Sequence, residues 1–315
     1  MNDKLSLYCC PKCQADLEQR NKLVFCGNSQ CTNSNTPFYN IDNLLILVDF
    51  PNSVINIDTL LITKASSLVK RITKFSRITR IVKKLLNGTN KVSSNNFEFC
   101  VKLLREIKNP RILIIGGGTI GAGIETIIKN FPDGIISFDV YNSNNIDFIA
   151  DAHSIPLIDE SIDLVIVQAV LEHVLSPMAV VNECHRVLKN GGYVYSETPF
   201  LQHVHEGKYD FTRFTVLGHR LLFKSFNEIK SGYVGGLGQS LLWAIEYFVA
   251  GVFRSRIAGK IAKACLIWIR WVEYLIPHNW NIDGACGAFF LGKKTMSETE
   301  QNINSLLDGY KGAQK

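Results

Sequence analysis

The amino-acid sequence predicts an α/β fold with a doubly wound parallel sheet, preceded by a small cysteine-rich module and interrupted near the C-terminus by a helical insert. Three observations support this prediction. Five of the nine cysteines stand within the first thirty-one residues. From Arg111 onward, short apolar runs alternate with segments of helical periodicity, which is typical of a parallel sheet with helices on both faces. Residues 235–280 contain all four tryptophans.

The first fifty residues are expected to form a metal-binding module. Its cysteines stand in two pairs, with two and four intervening residues, and such pairs can bring four thiolates to the corners of a tetrahedron. The N-terminus shows no secretory signal, so we expect a metal in a reducing compartment, not disulfides. Four thiolates leave no open position, so zinc here would be structural, in a core separate from that of the main domain. The predicted ligands are Cys10, Cys13, Cys26 and Cys31.

Residues 51–98 are predicted to form a basic amphipathic connector. No acidic residue lies between Asp58 and Glu98, whereas nine lysines and arginines do. Without these nine cations the formal net charge of +6 becomes −3, so the sequence does not indicate a polyanion binder over its whole surface. The connector either packs on the main domain or contacts an anionic surface of lipid or nucleic acid. Nucleic acid is less favoured, because aromatic residues are scarce here. The apolar positions at helical spacing are Leu68, Ile72, Phe75, Ile78 or Val82, and Leu85.

The main domain, residues 99–296, contains apolar runs that predict its strands in order. The first run, "RILIIGGG", ends in glycines, and "TIGAGIETIIKN" then predicts a helix. The runs "GIISFDV", "IDFIAD" and "IDLVIVQAV" predict three further strands, and "PMAVVNECHRVLKNGG" predicts a helix closed by two glycines. "GYVYSETP" predicts the fifth strand, and "NEIKSGYV" and "GACGAFFLGKK" predict an antiparallel edge.

Two features of these strands suit a ligand that contains a ribose. The glycines after the first strand let the backbone approach a ligand closely. Asp139 closes the second strand, where an acid suits the two ribose hydroxyls. A glycine-rich turn alone is a weak signal, and it permits either a nicotinamide dinucleotide or S-adenosylmethionine.

The later residues favour S-adenosylmethionine. "ADAHSIPLIDESIDLVIVQAVLEHVLSPMAVVNECHRVLKNGGYVYSETP" resembles the class I S-adenosylmethionine-dependent methyltransferases of the type 11 group, within a match that runs from Arg111 to Pro199. The resemblance implies a Rossmann-like, seven-stranded sheet and a methyltransferase. The cysteine module resembles the zinc ribbon of Trm112-like proteins, with "FYNIDNLLIL", Phe38 to Leu47, as the strand that follows.

The resemblance implies a loop of glycines under the methionine part of the cofactor, formed by Gly116, Gly118 and Gly121. The sequence departs from the family pattern in two places here. Ile114 stands where many members have an acid, and the loop "GGGTIG" is longer by one residue.

The remaining cofactor contacts that the resemblance implies come from the ends of the second, third and fourth strands. Asp139 would bind the ribose hydroxyls. Asp151, with the backbone of Ala152 and His153, would hold the adenine edge. Gln168 would face the cofactor at the end of the fourth strand.

The irregular stretch "SETPFLQHVHEGKYDFTRFT", Ser196 to Thr215, follows the fifth strand, where this fold meets the methyl acceptor. It resembles a motif of methyltransferases of surface-polysaccharide and glycan biosynthesis. The motif places His205 as a general base, Asp210 as the group that orients it, and Arg213 as a ligand for an anionic group of the acceptor. Alternatively, Asp210 and Arg213 pair with each other and hold the loop.

Glu172 and His173 match the "EH" pair of the family pattern. They are expected either to cap and orient the helix after the fourth strand or to act in the chemistry. If the stretch around His205 proves to be a structural lid, His173 is the next candidate for the base.

The insert, residues 235–280, combines apolar runs with scattered charges, and neither run reaches the length of a membrane span. It forms either a buried cap or an element that lies on a membrane surface, with tryptophans at the headgroup level. The polar tail, residues 297–315, is expected to fray.

The sequence therefore predicts a methyltransferase that acts on an oxygen nucleophile of a glycan or lipid-linked acceptor. It would be cytoplasmic, with peripheral contact to an anionic membrane surface. The alternatives are an RNA base methyltransferase, which the cysteines and basic connector favour, and a catalytically silent module that binds S-adenosylmethionine or docks a partner.

Overall fold

The structure is a computed structural model that describes residues 5–63, 90–295 and 302–314. Its strands are β1 (Leu17–Arg20), β2 (Leu23–Cys26), β3 (Asn40–Ile41), β4 (Leu44–Leu47), β5 (Ile112–Ile115), β6 (Ile135–Asp139), β7 (Phe148–Ala150), β8 (Ile162–Gln168), β9 (Leu188–Pro199), β10 (Asn227–Val234) and β11 (Gly287–Lys293). Its α-helices are α1 (Ile57–Ile62), α2 (Lys91–Leu104), α3 (Ile124–Asn130), α4 (Pro177–Val187), α5 (Val216–Leu222), α6 (Leu237–Val252), α7 (Arg256–Cys265), α8 (Ile269–Val272), α9 (His278–Asp283) and α10 (Ile303–Asp308).

A nine-stranded sheet in the order β10-β11-β9-β8-β5-β6-β7-β4-β3 forms the centre of the fold. Strands β5 to β9 run parallel to one another, β11 is antiparallel to β9, and β10 is antiparallel to β11. The order of β5 to β11 is that of class I methyltransferases, so the predicted seven-stranded sheet is confirmed. The additional strands β3 and β4 come from the N-terminal module.

Helices cover both faces of the sheet, as the apolar runs predicted. On one face, Phe97 and Leu104 of α2 pack with Ile112 of β5 in one buried cluster. On the other face, Val180 of α4 and Phe223 pack in a second cluster with strands β5 and β8. Because every side chain of β5 is buried, this strand reads as a continuous apolar run.

Two helix ends differ from the prediction. Helix α3 begins at Ile124, after Gly123 with φ +90°, so "TIGAG" is a turn and not helix. Helix α4 ends at Val187, because Leu188 is already extended and pairs with Ile162 of β8. The two glycines that were predicted to close this helix therefore lie within strand β9.

The N-terminal module shares its core with the main domain, which corrects the expectation of two separate cores. Strand β4 pairs in parallel with β7, and Asp42 and Asn43, both with positive φ, form the two-residue turn that leads into it. The ring of Tyr8 packs 5.0 Å from that of Phe148. The backbone of Cys9 donates a hydrogen bond to Pro156.

The insert folds as helices α6 to α9, and much of its apolar surface faces solvent. Trp271 is 72% exposed, Tyr274 80% and Leu275 81%. The expectation of a buried cap does not hold for these side chains. Within the described residues, no helix combines the length and apolarity needed to cross a membrane.

Residues 302–314 of the C-terminal tail contact the main domain, and the expected fraying of the tail stays a prediction. Helix α10 buries Leu306, and Tyr310 donates a 2.6 Å hydrogen bond to Asp283 of α9. The apolar and basic positions predicted for the connector, from Lys64 to Leu85, lie outside the described residues.

Candidate active site

A pocket of about 250 Å³ lies at the carboxyl ends of the parallel strands. Gly116 after β5, Asp139 of β6, Asp151 after β7 and Val170 after β8 contribute to its walls. Gly116 has φ +75°, and a Cβ there would lie 2.5 Å from Val170, so this position requires glycine. Neighbouring parallel strands end at the same edge, which is why these residues converge.

Asp139 is held by the backbone around it. Its carboxylate accepts hydrogen bonds from the backbone N–H of Gly118 at 2.9 Å and of Val140 at 2.7 Å. A Cβ on Gly118 would lie 2.7 Å from the same carboxylate, so this glycine allows the close approach. Gly118 therefore supports Asp139, although it does not itself line the pocket.

Asp151 is held in a network that crosses from the main domain to the N-terminal part. It accepts hydrogen bonds from Ser53, from the backbone of His153 at 3.0 Å and from Nδ1 of His153 at 2.6 Å. Burial alone would raise the pKa of Asp151, but the hydrogen bonds from His153 and Ser53 outweigh it and lower that pKa. Ala152 and His153 line the pocket beside it.

The segment from Val54 to Thr63 forms another wall of the pocket, and sequence reasoning missed it. The residues belong to the loop before α1 and to α1 itself. Their only local signal is an ordinary helix start, in which Asn56 accepts a hydrogen bond from the backbone of Thr59. Nothing in that pattern indicates a pocket, because the wall depends on pairing between β4 and β7.

Gly121 and Gln168, two further predicted cofactor residues, lie outside the pocket lining and against each other. The side-chain amide of Gln168 donates to Glu197 at 2.8 Å and to the carbonyl of Ala122 at 3.2 Å. Gln168 thus joins the buried carboxyl group of Glu197 to the turn before α3.

His173, Glu206 and Tyr209 line the same pocket, which places "EH" beside the stretch that follows β9. Nδ1 of His173 donates to the carbonyl of Tyr209 at 2.7 Å. Glu172 is 0% exposed, and neither of its carboxylate oxygens has a hydrogen-bond partner among the described residues. Burial raises the pKa of Glu172 to about 7, and it lowers the pKa of His173.

His205 lies beside this pair. Its ring centroid is 4.9 Å from that of His173, its Nε2 lies 3.8 Å from Glu172, and its Nδ1 lies 3.3 Å from Asp210. Burial, and then the neighbouring His173, lower the pKa of His205. His203 points elsewhere, since its ring stacks on Tyr247 of α6 at 4.2 Å.

Arg213 is used to hold the loop together. It forms a two-point ion pair with Asp210 and donates to the carbonyls of Gln202, His203 and Thr212. These bonds occupy every N–H of the guanidinium, so none is left for an anionic group of an acceptor. Burial opposes ionisation of Asp210, but the bonds from Arg213 and the backbone of His205 hold its pKa well below its usual range.

The four predicted zinc ligands meet at one point. Their sulfur atoms all lie within 4.8 Å of one another, with 3.9 Å between Cys10 and Cys31 and 3.4 Å between Cys13 and Cys26. A tetrahedral zinc ion with Zn–S bonds of ~2.3 Å separates its sulfur ligands by roughly 3.8 Å. The residues present therefore fit a structural zinc ion.

Comparisons with known proteins found one family model and several solved structures that are similar to this chain. Residues 128–196 match the family model described as a methyltransferase domain. No curated protein matches the chain. One similar solved structure is a SAM-dependent methyltransferase from Archaeoglobus fulgidus, at 14% identity over 69% of this chain and 99% of that one, with TM-score 0.42.

Two other similar structures have different activities in their descriptions. One is the phosphoethanolamine N-methyltransferase 2 of Haemonchus contortus in complex with S-adenosyl-L-methionine, at 17% identity over 71% of this chain and 58% of that one, with TM-score 0.41. The other is the [4+2]-cyclase SpnF, at 16% identity over 64% of this chain and 81% of that one, with TM-score 0.37.

Residues 128–196 thus match a methyltransferase domain, and strands β5 to β11 have the order of the class I methyltransferase fold.

Removal of the metal from the four cysteines should destabilise the whole domain, because the module and the sheet share one core. We expect one zinc ion per chain and, after chelation, a loss of roughly 3 kcal/mol or more, which lowers Tm by on the order of 5–10 °C. Elemental analysis and calorimetry measure both quantities. Cys13→Ser should reproduce the loss, and Cys265→Ser, at an exposed cysteine outside the cluster, should not. An unchanged Tm in metal-free protein would show that the cores are independent.

Replacing Asp139 with Ala should weaken the binding of S-adenosylmethionine. A carboxylate that binds both ribose hydroxyls supplies charge-assisted hydrogen bonds of about 1.5–3 kcal/mol each, so the affinity should fall at least about tenfold. Isothermal calorimetry measures the affinity, with the exposed Asp133→Ala as the matched control. Equal affinities for the two variants would remove Asp139 from the cofactor site.

Proposed function

We propose that this protein transfers the methyl group of S-adenosylmethionine to an oxygen nucleophile of a glycan or lipid-linked acceptor. One observation carries the proposal: two strand-end acids, Asp139 and Asp151, line the same pocket as His173. The acids suit the nucleoside of the cofactor. The histidine and its neighbours Glu172 and His205 suit an acceptor that must lose a proton.

The chain's own residues would have three tasks in this reaction. When bound, the cofactor supplies a methyl group on a sulfonium, and transfer breaks the S–C bond as the new O–C bond forms. Asp139 and Asp151 would hold the nucleoside, so that the sulfonium faces the histidines. The acceptor's proton would pass to a basic group of the cluster formed by Glu172, His173 and His205, with His205 as the proposed base.

The loop that follows β9 would set the position of this cluster. Arg213 and Asp210 hold the loop in one conformation, and the backbone of Phe211 donates to the carbonyl of Glu172 at 2.7 Å. We therefore assign Asp210 and Arg213 to positioning His205. An anionic group of the acceptor would have to be bound by other residues.

The surface of the insert supports an acceptor presented at a membrane. Large apolar side chains are exposed on α6, α7 and α8, and they include Phe248, Phe253, Ile257, Trp268 and Trp271. The two acids of this region face inward: Glu246 pairs with Lys263 at 2.8 Å, and Glu273 caps the start of α6. The exposed charges on α7 and before it are cations, Arg254, Arg256 and Lys260. An apolar face with a cationic rim suits an anionic bilayer surface.

Replacing His205 with Ala should slow methyl transfer by about 10²–10⁴, because the change removes the base that accepts the proton of the acceptor hydroxyl. The affinity for the cofactor should change little. The measurement is transfer of labelled methyl from S-adenosylmethionine to separated lipid, glycan and RNA fractions. His203→Ala is the matched control. The ring of His203 stacks on Tyr247, so this substitution should reduce the rate of methyl transfer much less. Labelled methyl in RNA alone would support the RNA alternative instead. Absence of cofactor binding would support a catalytically silent module that docks a partner.

Vesicle binding should depend on the apolar face of the insert. We expect the protein to sediment with anionic phospholipid vesicles at low salt and less so at high salt, where the cations are screened. A Phe248→Ser, Trp271→Ser double variant should lose at least about tenfold in partitioning, because each ring contributes buried apolar area at the interface. Leu23→Ser, at an exposed leucine of the N-terminal module, is the control. Equal sedimentation of all three proteins would contradict the membrane role of the insert.

A further inference from the structure

One carboxylate oxygen and two imidazole nitrogens converge beside the pocket, at the point where His173 lines it. Oε1 of Glu172 lies 3.6 Å from Nε2 of His173 and 3.8 Å from Nε2 of His205. The ligand atoms of these residues all lie within 4.8 Å of one another. Glu172 is fully buried, and its carboxylate has no hydrogen-bond partner among residues 5–63, 90–295 and 302–314.

The groups around the rings of His173 and His205 place the proton of each neutral ring on Nδ1, and not on the Nε2 atom that faces Glu172. Nδ1 of His173 faces the carbonyl of Tyr209, which can only accept, so this nitrogen is the donor. Nδ1 of His205 faces the carboxylate of Asp210, which favours the same tautomer. In the neutral rings, both Nε2 atoms therefore present lone pairs toward the carboxylate of Glu172. Such an arrangement is unfavourable unless a positive group lies between the three atoms.

We infer that Glu172, His173 and His205 bind a divalent transition-metal ion. Two imidazoles and a carboxylate suit first-row divalent ions such as Mn²⁺, whereas Mg²⁺ prefers oxygen ligands. Bonds of ~2.1 Å separate two ligand atoms by roughly 3.0–3.5 Å. The two distances from Oε1 of Glu172 therefore need to shorten by a few tenths of an ångström, and the two ring nitrogens, which lie within 4.8 Å of each other, need to move closer together as well. Tyr209 and Asp210 hold the outer nitrogens, as the partners of metal-bound histidines usually do.

The site is open on the side of the pocket. His173 lines the pocket, and the side chain of His205 is 29% exposed, so an ion can enter and can keep positions for a further ligand. An ion here would polarise an acceptor hydroxyl and lower its pKa. That role rests on the proposed function, whereas the binding of the metal does not. A proton on Glu172 is the competing explanation, since the protonated carboxyl group could donate to one of the rings.

Titration of the full-length protein with Mn²⁺ tests the inference. Mn²⁺ favours nitrogen and oxygen over thiolate ligands, so the cysteine cluster should not contribute. Calorimetry and electron paramagnetic resonance should show one Mn²⁺ per chain. Glu172→Gln and His205→Ala should each weaken its binding at least tenfold, and His203→Ala should leave it within twofold. If Glu172→Gln does not fold, as judged by circular dichroism, His205→Ala alone decides.

Absence of Mn²⁺ binding by the wild type up to about 1 mM, where binding is worth only about 4 kcal/mol, would overturn the metal site in favour of a protonated Glu172. Equal binding by the three variants would overturn it as well. Full-rate methyl transfer by metal-free protein would remove the activating role and leave the proposed function intact. Specific Mn²⁺ binding with no labelled acceptor fraction would support the site and count against the proposed function.

Discussion

Hydrogen bonding between parallel strands is the constraint on which the rest of this structure depends. Strands β5, β6, β7 and β8 run in one direction, so their carboxyl ends meet at one edge, and the chain must turn there each time. Those turns carry Gly116, Asp139, Asp151 and Glu172. The pocket therefore results from the sheet itself, and the loops only decide which chemical groups face it.

The two sides of the pocket are held by different means. On the side of the strand-end acids, backbone N–H groups hold Asp139, and local hydrogen bonds hold Asp151. On the side of the histidines, the loop after β9 has little regular structure, and the ion pair between Arg213 and Asp210 holds it in place. The buried carboxylate of Glu172 lies between two histidines and has no hydrogen-bond partner in the part of the chain that the structure describes. A site of this kind is preorganised for a cation or for a group that can donate a proton.

The sequence predicted those parts of the fold whose signal is local. The apolar runs predicted β5 to β11, and Asp139 could be singled out because it closes a strand. Helix ends were less accurate, since the pairing of Leu188 with Ile162 overrides the helical periodicity before it. The convergence of Glu172 with His205 could not be predicted, because it depends on how the loop after β9 folds back.

The exposure of the apolar side chains of the insert could not be predicted from the sequence either. The runs around Phe248 and Trp271 are apolar in either a buried cap or a surface element, and only the placement of the helices separates the two. For the same reason the N-terminal module was predicted as a separate core. Its sequence contains the cysteines and a hairpin, but nothing that indicates the pairing of β4 with β7.

The pairing of β4 with β7 also has a consequence during protein synthesis. Leu45 precedes its partner Phe148 by about 100 residues, which a ribosome at roughly 5–20 residues per second adds in about 5–20 s. During that time β4, with the sequence "LLIL", lacks its parallel partner β7 and the core beneath the sheet. The hairpin of β3 and β4 alone would be only marginally stable. The four cysteines are complete by residue 31, well before the first strand of the main domain, β5, begins at Ile112. Metal capture by these cysteines on the nascent chain would hold the module in place until the strand that completes it has been made.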